Sequence, residues 1–337
     1  MELNINNRTD FTRNAQILWN KGMMSVKGKM RTSGLVKVIG IPHLTGNTRE
    51  FSEIELEEYA SRKNESMQST RAKVQQGYTK IGTLYRISKD IGISYEMRTQ
   101  GKYPEMVAKL TNLGKLPINR IDLDLSHKIT FCTATSHVDM EGVTVDDTVG
   151  DTFQLAYTAH TLRGSTSTFR NRLANNPQVS RGALEAMEKM RVENSLNQFG
   201  QKKSSMNDDI LWTTDDPNTK NTVRELLKAT SNPTQNNPNV PNEYEGKYRL
   251  VVLPRVATDK NGDPDSTKAK YWGVASSEHS TFHLGMHEEP RMKKPPVAGS
   301  NAEEFSTDDW NFGSRAGYMV VVVSASWFGF SSGDGTA

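Results

Sequence analysis

Three histidines recur at every fourth position, His279, His283 and His287, with Glu288 and Glu289 directly after the last. On a helix or a strand this spacing can share a face, and imidazole with carboxylate is the ligand chemistry of zinc-type sites. Ser280, Thr281, Gly285 and Pro290 make a helix poor here, and the His-Glu-x-x-His pattern that adds a general base is absent. The competing reading is three histidines along a polar strand or loop. Asp259-Lys-Asn-Gly-Asp-Pro-Asp265 has the charge of a calcium loop without its spacing, because its glycine comes too early and Lys270 stands where a bidentate glutamate belongs. It reads better as a turn. Asp146, Asp147 and Asp151 could gather a cation, and suit a solvated acidic loop equally. Cys132 with His127 or His137 offers a nucleophile and a base, but a lone cysteine inside an apolar helical stretch is ordinarily a packing residue. Phosphate-cradling and nucleophile-elbow glycine motifs are missing. No catalytic residue, metal site or cofactor is expected.

The totals narrow the class. The chain has 337 residues, room for two domains or one elaborated one. Hydrophobic residues make up 35% and the mean hydropathy is −0.65, which suits an extended molecule or one that buries surface against neighbours. The net charge of +3 is spread along the chain, with no basic run of the kind that marks a dedicated nucleic-acid face. A single cysteine excludes an intrachain disulfide. No apolar run is long enough to span a bilayer, and MELNINNRTD has no signal-peptide pattern. Synthesis and assembly in a reducing cytoplasm are expected.

The elements that would position any site read as follows. Residues 1–38 look like a polar arm that needs a partner to become ordered, with one amphipathic piece at Phe11, Ala15, Leu18 and Trp19. Leu35 to Ile41 reads as a short strand. Ile54 and Leu56 alternate with Glu53, Glu55 and Glu57, the pattern of a strand wet on one face. Around Asn64 the sign reverses, with Arg62, Lys63, Arg71, Lys73, Lys80 and Arg86 leading up to Ile87. An acidic strand with a basic return is a long hairpin with few core residues of its own. Two-stranded hairpins are marginal alone in water, so this one should lie on something else, such as another copy of the chain.

Residues 93–134 read as one long helical segment, interrupted at Gly114 and Pro117, with Pro104 at its start. Residues 135–180 are loop-rich. Ser180 should cap a helix from Gly182 to Phe199 that stops at Gly200. A strand at Ile210–Thr213 and a helix at Asn218–Ala229 follow, then a loop rich in proline and asparagine from Thr230. Tyr248–Val256 and Lys270–Ala275 read as strands of a hairpin turning at Asn261-Gly262. Arg291–Ser300, with Pro295 and Pro296, is a connector. The last stretch, Phe305 to Phe330, is the most apolar. Four consecutive valines, Val320 to Val323, disfavour a helix and suit a central strand buried on both faces, bounded by Gly313 and Gly317.

This order of elements resembles the major capsid protein of tailed bacteriophages, the Hong Kong 97-type fold. The resemblance is carried by Val149 to Met190 (VGDTFQLAYTAHTLRGSTSTFRNRLANNPQVSRGALEAMEKM), by DDILWTTDD and the helix after it, and by the closing FSTDDWNFGSRAGYMVVVVSASWFGF. It implies an α+β fold with an N-terminal arm (1–38), an extended E-loop hairpin (39–92), a spine helix and peripheral domain (93–200), an axial domain (201–300) and a return strand (301–337). It further implies self-assembly through pentamers and hexamers into an icosahedral virion shell around double-stranded DNA, without sequence-specific binding and with no membrane. A portal and a separate scaffolding protein would be partners. On that reading Glu53, Glu55, Glu57, Arg62, Lys63, Arg71 and Lys73 would pair with complementary charges on adjacent copies. The competing readings are an encapsulin-like cargo shell, a metal enzyme using the three histidines, and another virion protein such as a tail component.

Overall fold

The computed structural model describes residues 8–27, 30, 35–41, 44, 46–56, 59–203, 207–230, 241–279, 281–293 and 308–335. The architecture is α+β, and the strand that holds the valine run organises it. This strand, β13 (Trp310–Val322), lies inside a four-stranded sheet ordered β1 (Val36–Gly40), β12 (Phe282–Lys293), β13, β4 (Tyr85–Ile93). It pairs antiparallel with both neighbours. Successive side chains of a strand point to opposite faces. Tyr318, Val320 and Val322 therefore enter one apolar cluster, while Met319, Val321 and Val323 enter another. The central strand is thus buried on both sides, as its composition predicts. Gly313 and Gly317 do not bound it but lie within it, and a Cβ on Gly313 would come 2.3 Å from Asp90 Oδ1.

The arm is not partnerless. Helix α1 (Arg8–Lys27) buries Phe11, Ala15, Leu18 and Trp19, the face read from its spacing, against the chain's own long helix and β13. Phe11 meets Trp310 edge-on at 5.1 Å, and Trp19 Nε1 donates to Ser314 Oγ at 3.1 Å. The expected helical segment 93–134 is two helices, α2 (Tyr95–Thr99) and α3 (Tyr103–Thr130). The break falls at Gly101, whose φ of +65° suits a residue without a side chain, and α3 runs on through Gly114 and Pro117. Packing explains the tolerance at Gly114. A Cβ there would sit 2.1 Å from the carbonyl oxygen of Trp19, and one on Gly22 would sit 1.9 Å from that of Thr111. The two helices touch backbone to backbone at this crossing.

The second half of α3 carries Ile121, Leu125 and Ile129 under β13. A charged group is buried beside them. Lys128 Nζ donates to Asp147 Oδ1 at 2.8 Å, and His137 Nδ1 lies 2.5 Å from Asp147 Oδ2. The His127 ring meets Phe131 and His137 edge-on. Burial, and then the neighbouring His137, push His127 down to about 4. Short hairpins follow in the region read as loops, β5 (Ser136–Val138) with β6 (Thr144–Asp146) and β7 (His160–Leu162) with β8 (Ser165–Phe169).

A second layer surrounds a three-stranded sheet. Helix α4 (Arg181–Glu193) has the expected Ser180 cap but ends before Phe199. Asn194 Nδ2 turns back to the Met190 carbonyl at 2.8 Å, and Asn197 Oδ1 accepts the N–H groups of Phe199 and Gln201, building a loop instead. Strand β9 (Ile210–Thr213) precedes α5 (Pro217–Lys228), whose Asp216 side chain caps it. The expected hairpin of Tyr248–Val256 with Lys270–Ala275 does not form. β10 (Arg249–Val252) and β11 (Trp272–Ala275) instead flank β9, parallel and antiparallel respectively. Pro254–Val256 is a short 3-10 helix, and Gly262, at φ +85°, only closes a local turn. Trp212 of β9 stacks on Phe328 and Phe330, which fastens this layer to the residues after β13. Strand β12 takes in Arg291–Lys293 of the expected connector. Gly28, Gly34, residues 231–240 of the proline-rich loop, and Pro295 and Pro296 lie outside the described residues.

Two outcomes are expected. Gly114→Ala should wedge α1 off α3 and cost about 1–3 kcal/mol, read as a lower thermal midpoint with early proteolysis inside residues 8–27. His127 stays neutral in the fold, so its contribution is present above its ordinary value of 6.5 and is lost as pH falls toward about 4. His127→Phe should flatten stability against pH across that window in chemical denaturation curves.

Candidate functional site

The hairpin of β2 (Thr48–Leu56) and β3 (Val74–Thr83) is antiparallel, with a register shift between Ser52 and Ile54. Its root is not short of a core. Phe51 and Leu84 pack on Met319, Val321 and Val323, so the hairpin covers the second face of the chain's own central strand. Gly82 permits this approach, since a Cβ there would meet Val321 at 2.5 Å.

Beyond the root the inner face becomes polar and is fastened point by point. Lys80 Nζ donates to Asp146 Oδ2 at 2.6 Å and to Thr148 Oγ1 at 2.5 Å. The Tyr78 and Thr161 hydroxyls lie 2.8 Å apart. Arg163 Nη1 donates to the Gly77 carbonyl at 3.0 Å. Glu55 receives the Lys203 ammonium at 2.8 Å on one oxygen and the Gln198 N–H at 2.6 Å on the other. Lys203 Nζ also lies 4.5 Å from the centre of the Trp327 ring. Burial, followed by the charge of Glu55, raises the Glu53 carboxyl to about 7, with Lys203 and then the Ser324 hydroxyl opposing.

The outer face mixes polar residues such as Glu50 and Ser52 with exposed apolar ones. Ile54 is 69% exposed, Leu56 and Val74 are each 61% and Ile81 is 65%. Leu56 and Val74 are direct cross-strand partners, so the stripe is continuous at the far end of the hairpin. The alternation read from sequence is therefore real but faces the other way. Glu53 and Glu55 point at the body, and the hydrophobic residues point at solvent. Period two cannot say which face is inside. Here the decision lies with Lys203, the Gln198 N–H and Ser324, far away in the chain. Arg62, Lys63, Arg71 and Lys73 are exposed in the segment between the strands, and Glu57 lies outside the described residues. Of the expected contact residues, the structure thus brings Glu53 and Glu55 together on an intrachain seat and leaves the four cations at the surface. The seat residues Tyr78, Arg163, Gln198 and Lys203 carried no local signal.

The chemical candidates disperse. His279 stacks on Trp327 at 4.0 Å, His283 faces Phe51, and His287 Nδ1 lies 3.0 Å from the Ile41 carbonyl. Among the described residues no group of three or more His, Cys, Asp or Glu is placed to hold a metal. Asp259 Oδ1 accepts the N–H groups of Asn261 and Asp263, which makes its loop a turn. Asp146 and Asp147 are taken by lysines, and Asp151 by His160 at 2.8 Å. Cys132 is fully enclosed, and burial pushes its thiol up, away from any nucleophilic role. A cavity of about 650 Å³ lies between α3, β4, β13 and the β5–β6 hairpin. Its ionic wall is self-satisfied, with Arg120 bonded to Asp124 and Glu141. No described helix is long and apolar enough to cross a membrane.

No family model matches the chain, and no curated protein matches it. Solved structures are similar to it at low identity. A structure from Gordonia phage Cozz is 11% identical over 91% of this chain and 85% of that one, with a TM-score of 0.49. The mature capsid of bacteriophage PhiM1 is 11% identical over 88% of this chain and 85% of that one, also at 0.49. A virus-like particle from Pyrococcus furiosus is 10% identical over 95% of this chain and 98% of that one, at 0.48.

Proposed function

We propose that this chain is a major capsid protein, a structural rather than catalytic subunit. Its copies gather as pentamers and hexamers and close into the icosahedral shell that holds the double-stranded DNA of a tailed phage. Shell formation takes place in the host cytoplasm, with a separate scaffolding protein and a portal as partners. The observation that carries this reading is the two-faced hairpin. Its inner side is spent on the chain's own body, and its outer side presents Ile54, Leu56, Val74 and Ile81 to solvent. Each such side chain contributes roughly 1.5–3 kcal/mol when fully buried, and a free monomer gains nothing by exposing four of them together. A closed assembly of copies gains that burial once per subunit. The exposed Arg62, Lys63 and Arg71 beyond the stripe are suited to fixing register against acidic groups of a neighbour rather than to supplying affinity. The order helix, hairpin, long helix, second layer and returning central strand supports the same reading, as do the residue patterns of Val149–Met190 and of the closing strand.

Negative-stain microscopy of the purified chain, with its scaffold where needed, should show closed shells. The double variant Ile54→Lys, Leu56→Lys should remain folded, with an unchanged circular dichroism spectrum and thermal midpoint, but stay dispersed. Normal shells from that variant would remove the role assigned to the stripe. Tubes in place of shells would overturn the capsid reading. Enclosed protein without nucleic acid would overturn the assignment of the cargo as a genome.

A further inference from the structure

We propose that the polar stretch of the hairpin just beyond its root is a proton-operated latch: protonated Glu53 lets that stretch sit down on its own body, and loss of that proton loosens it. The inference rests on the reading above in one respect, that the outer stripe is what a second copy meets. The latch then sets how far that stripe is presented.

The geometry is specific. Glu53 falls at the register shift between Ser52 and Ile54, where one strand carries an extra residue against its partner. Across from it is Gly77, and a Cβ there would lie only 3.2 Å from the Glu53 Cβ, so the space beneath the carboxyl's stem is closed. Glu55 projects from the same face two residues on. Among the described residues the ammonium beside both acids is that of Lys203, which Glu55 holds at 2.8 Å, and Glu55 takes the Gln198 N–H as well. Glu53 has no such ion pair, only the weaker influence of Lys203 and the Ser324 hydroxyl. The remaining charged groups of the seat are committed elsewhere: Arg163 to the Gly77 carbonyl and Lys80 to Asp146. Two carboxylates and one cation in a half-covered place are a more stable set while one carboxyl keeps its proton.

The direction follows from linkage. Glu53 titrates at about 7 when seated, against 4.5 when free in water. The seated state therefore holds the extra proton. Its stabilisation is complete below about 4.5 and is lost as pH rises through about 7. Between pH of about 6 and about 8.5 the preference for the seated form should fall about tenfold. A cation delivered by another molecule would restore it.

The test is amide hydrogen exchange on the full-length, unassembled chain, expressed as protection factors so that the intrinsic pH dependence of exchange cancels. Protection across 53–56 and 74–78 should drop about tenfold over that pH interval while the root of the hairpin, β12 and β13 hold theirs. Glu53→Gln, which keeps the shape and the hydrogen bond, should abolish the drop. Lys203→Met should move it to higher pH, because the ammonium opposes protonation of Glu53. A pH-independent wild-type hairpin, or an unchanged drop in Glu53→Gln, would overturn the latch. Shell formation is scored separately by microscopy at both pH values. A normal drop in protection with no shells at either pH would refute the capsid reading and leave the latch standing. Shells around a pH-independent hairpin would do the reverse.

Discussion

Everything in this fold leans on one strand being covered from both sides. β13 cannot rest on α3 alone, because its alternate side chains would leave Met319, Val321 and Val323 in water. The hairpin root supplies the missing cover through Phe51 and Leu84. An element that would be marginal by itself thereby becomes a wall of the main core. The same strand meets α1 at its other end, through Phe312 and the Trp19 bond to Ser314. Arm, hairpin and long helix are therefore secured by different stretches of a single strand.

That arrangement explains how a hairpin can be anchored at one end and still hold apolar side chains out to solvent. Its grip on the body changes character along its length, from apolar contacts at the root to ion pairs and hydrogen bonds farther out. Polar fastenings exchange with water at small net cost, whereas the root contacts do not. The distal part is consequently the part free to adapt, and it is also where the outer stripe lies.

Much of the frame was legible from local pattern. The valine run, the apolar face of Phe11 to Trp19, and the cap at Ser180 all stand where composition and spacing put them. What failed were judgements that depend on distant residues. Gly114 reads as a helix weakener, yet its lack of a side chain is what admits the Trp19 carbonyl. Glu53 and Glu55 read as the wet side of a strand, yet a cation some way along the chain turns them inward. Asn261-Gly262 reads as a hairpin turn, yet both flanking strands prefer β9, whose four residues are all buried. The three spaced histidines are dispersed in the fold, His279 stacking on Trp327, His283 facing Phe51 and His287 reaching the Ile41 carbonyl.

The position of β13 also bears on how the chain is made. Its partner β4 lies about 220 residues earlier, so at roughly 5–20 residues per second β4 waits on the order of 10–45 s beside the ribosome before pairing is possible. Through that interval it is a naked strand edge, the kind of surface that recruits other unfinished chains. Arg86, Lys89 and Asp90 stud it with exposed charge in the folded protein. Charges of that kind discourage edge-to-edge association of a strand that still lacks its partner.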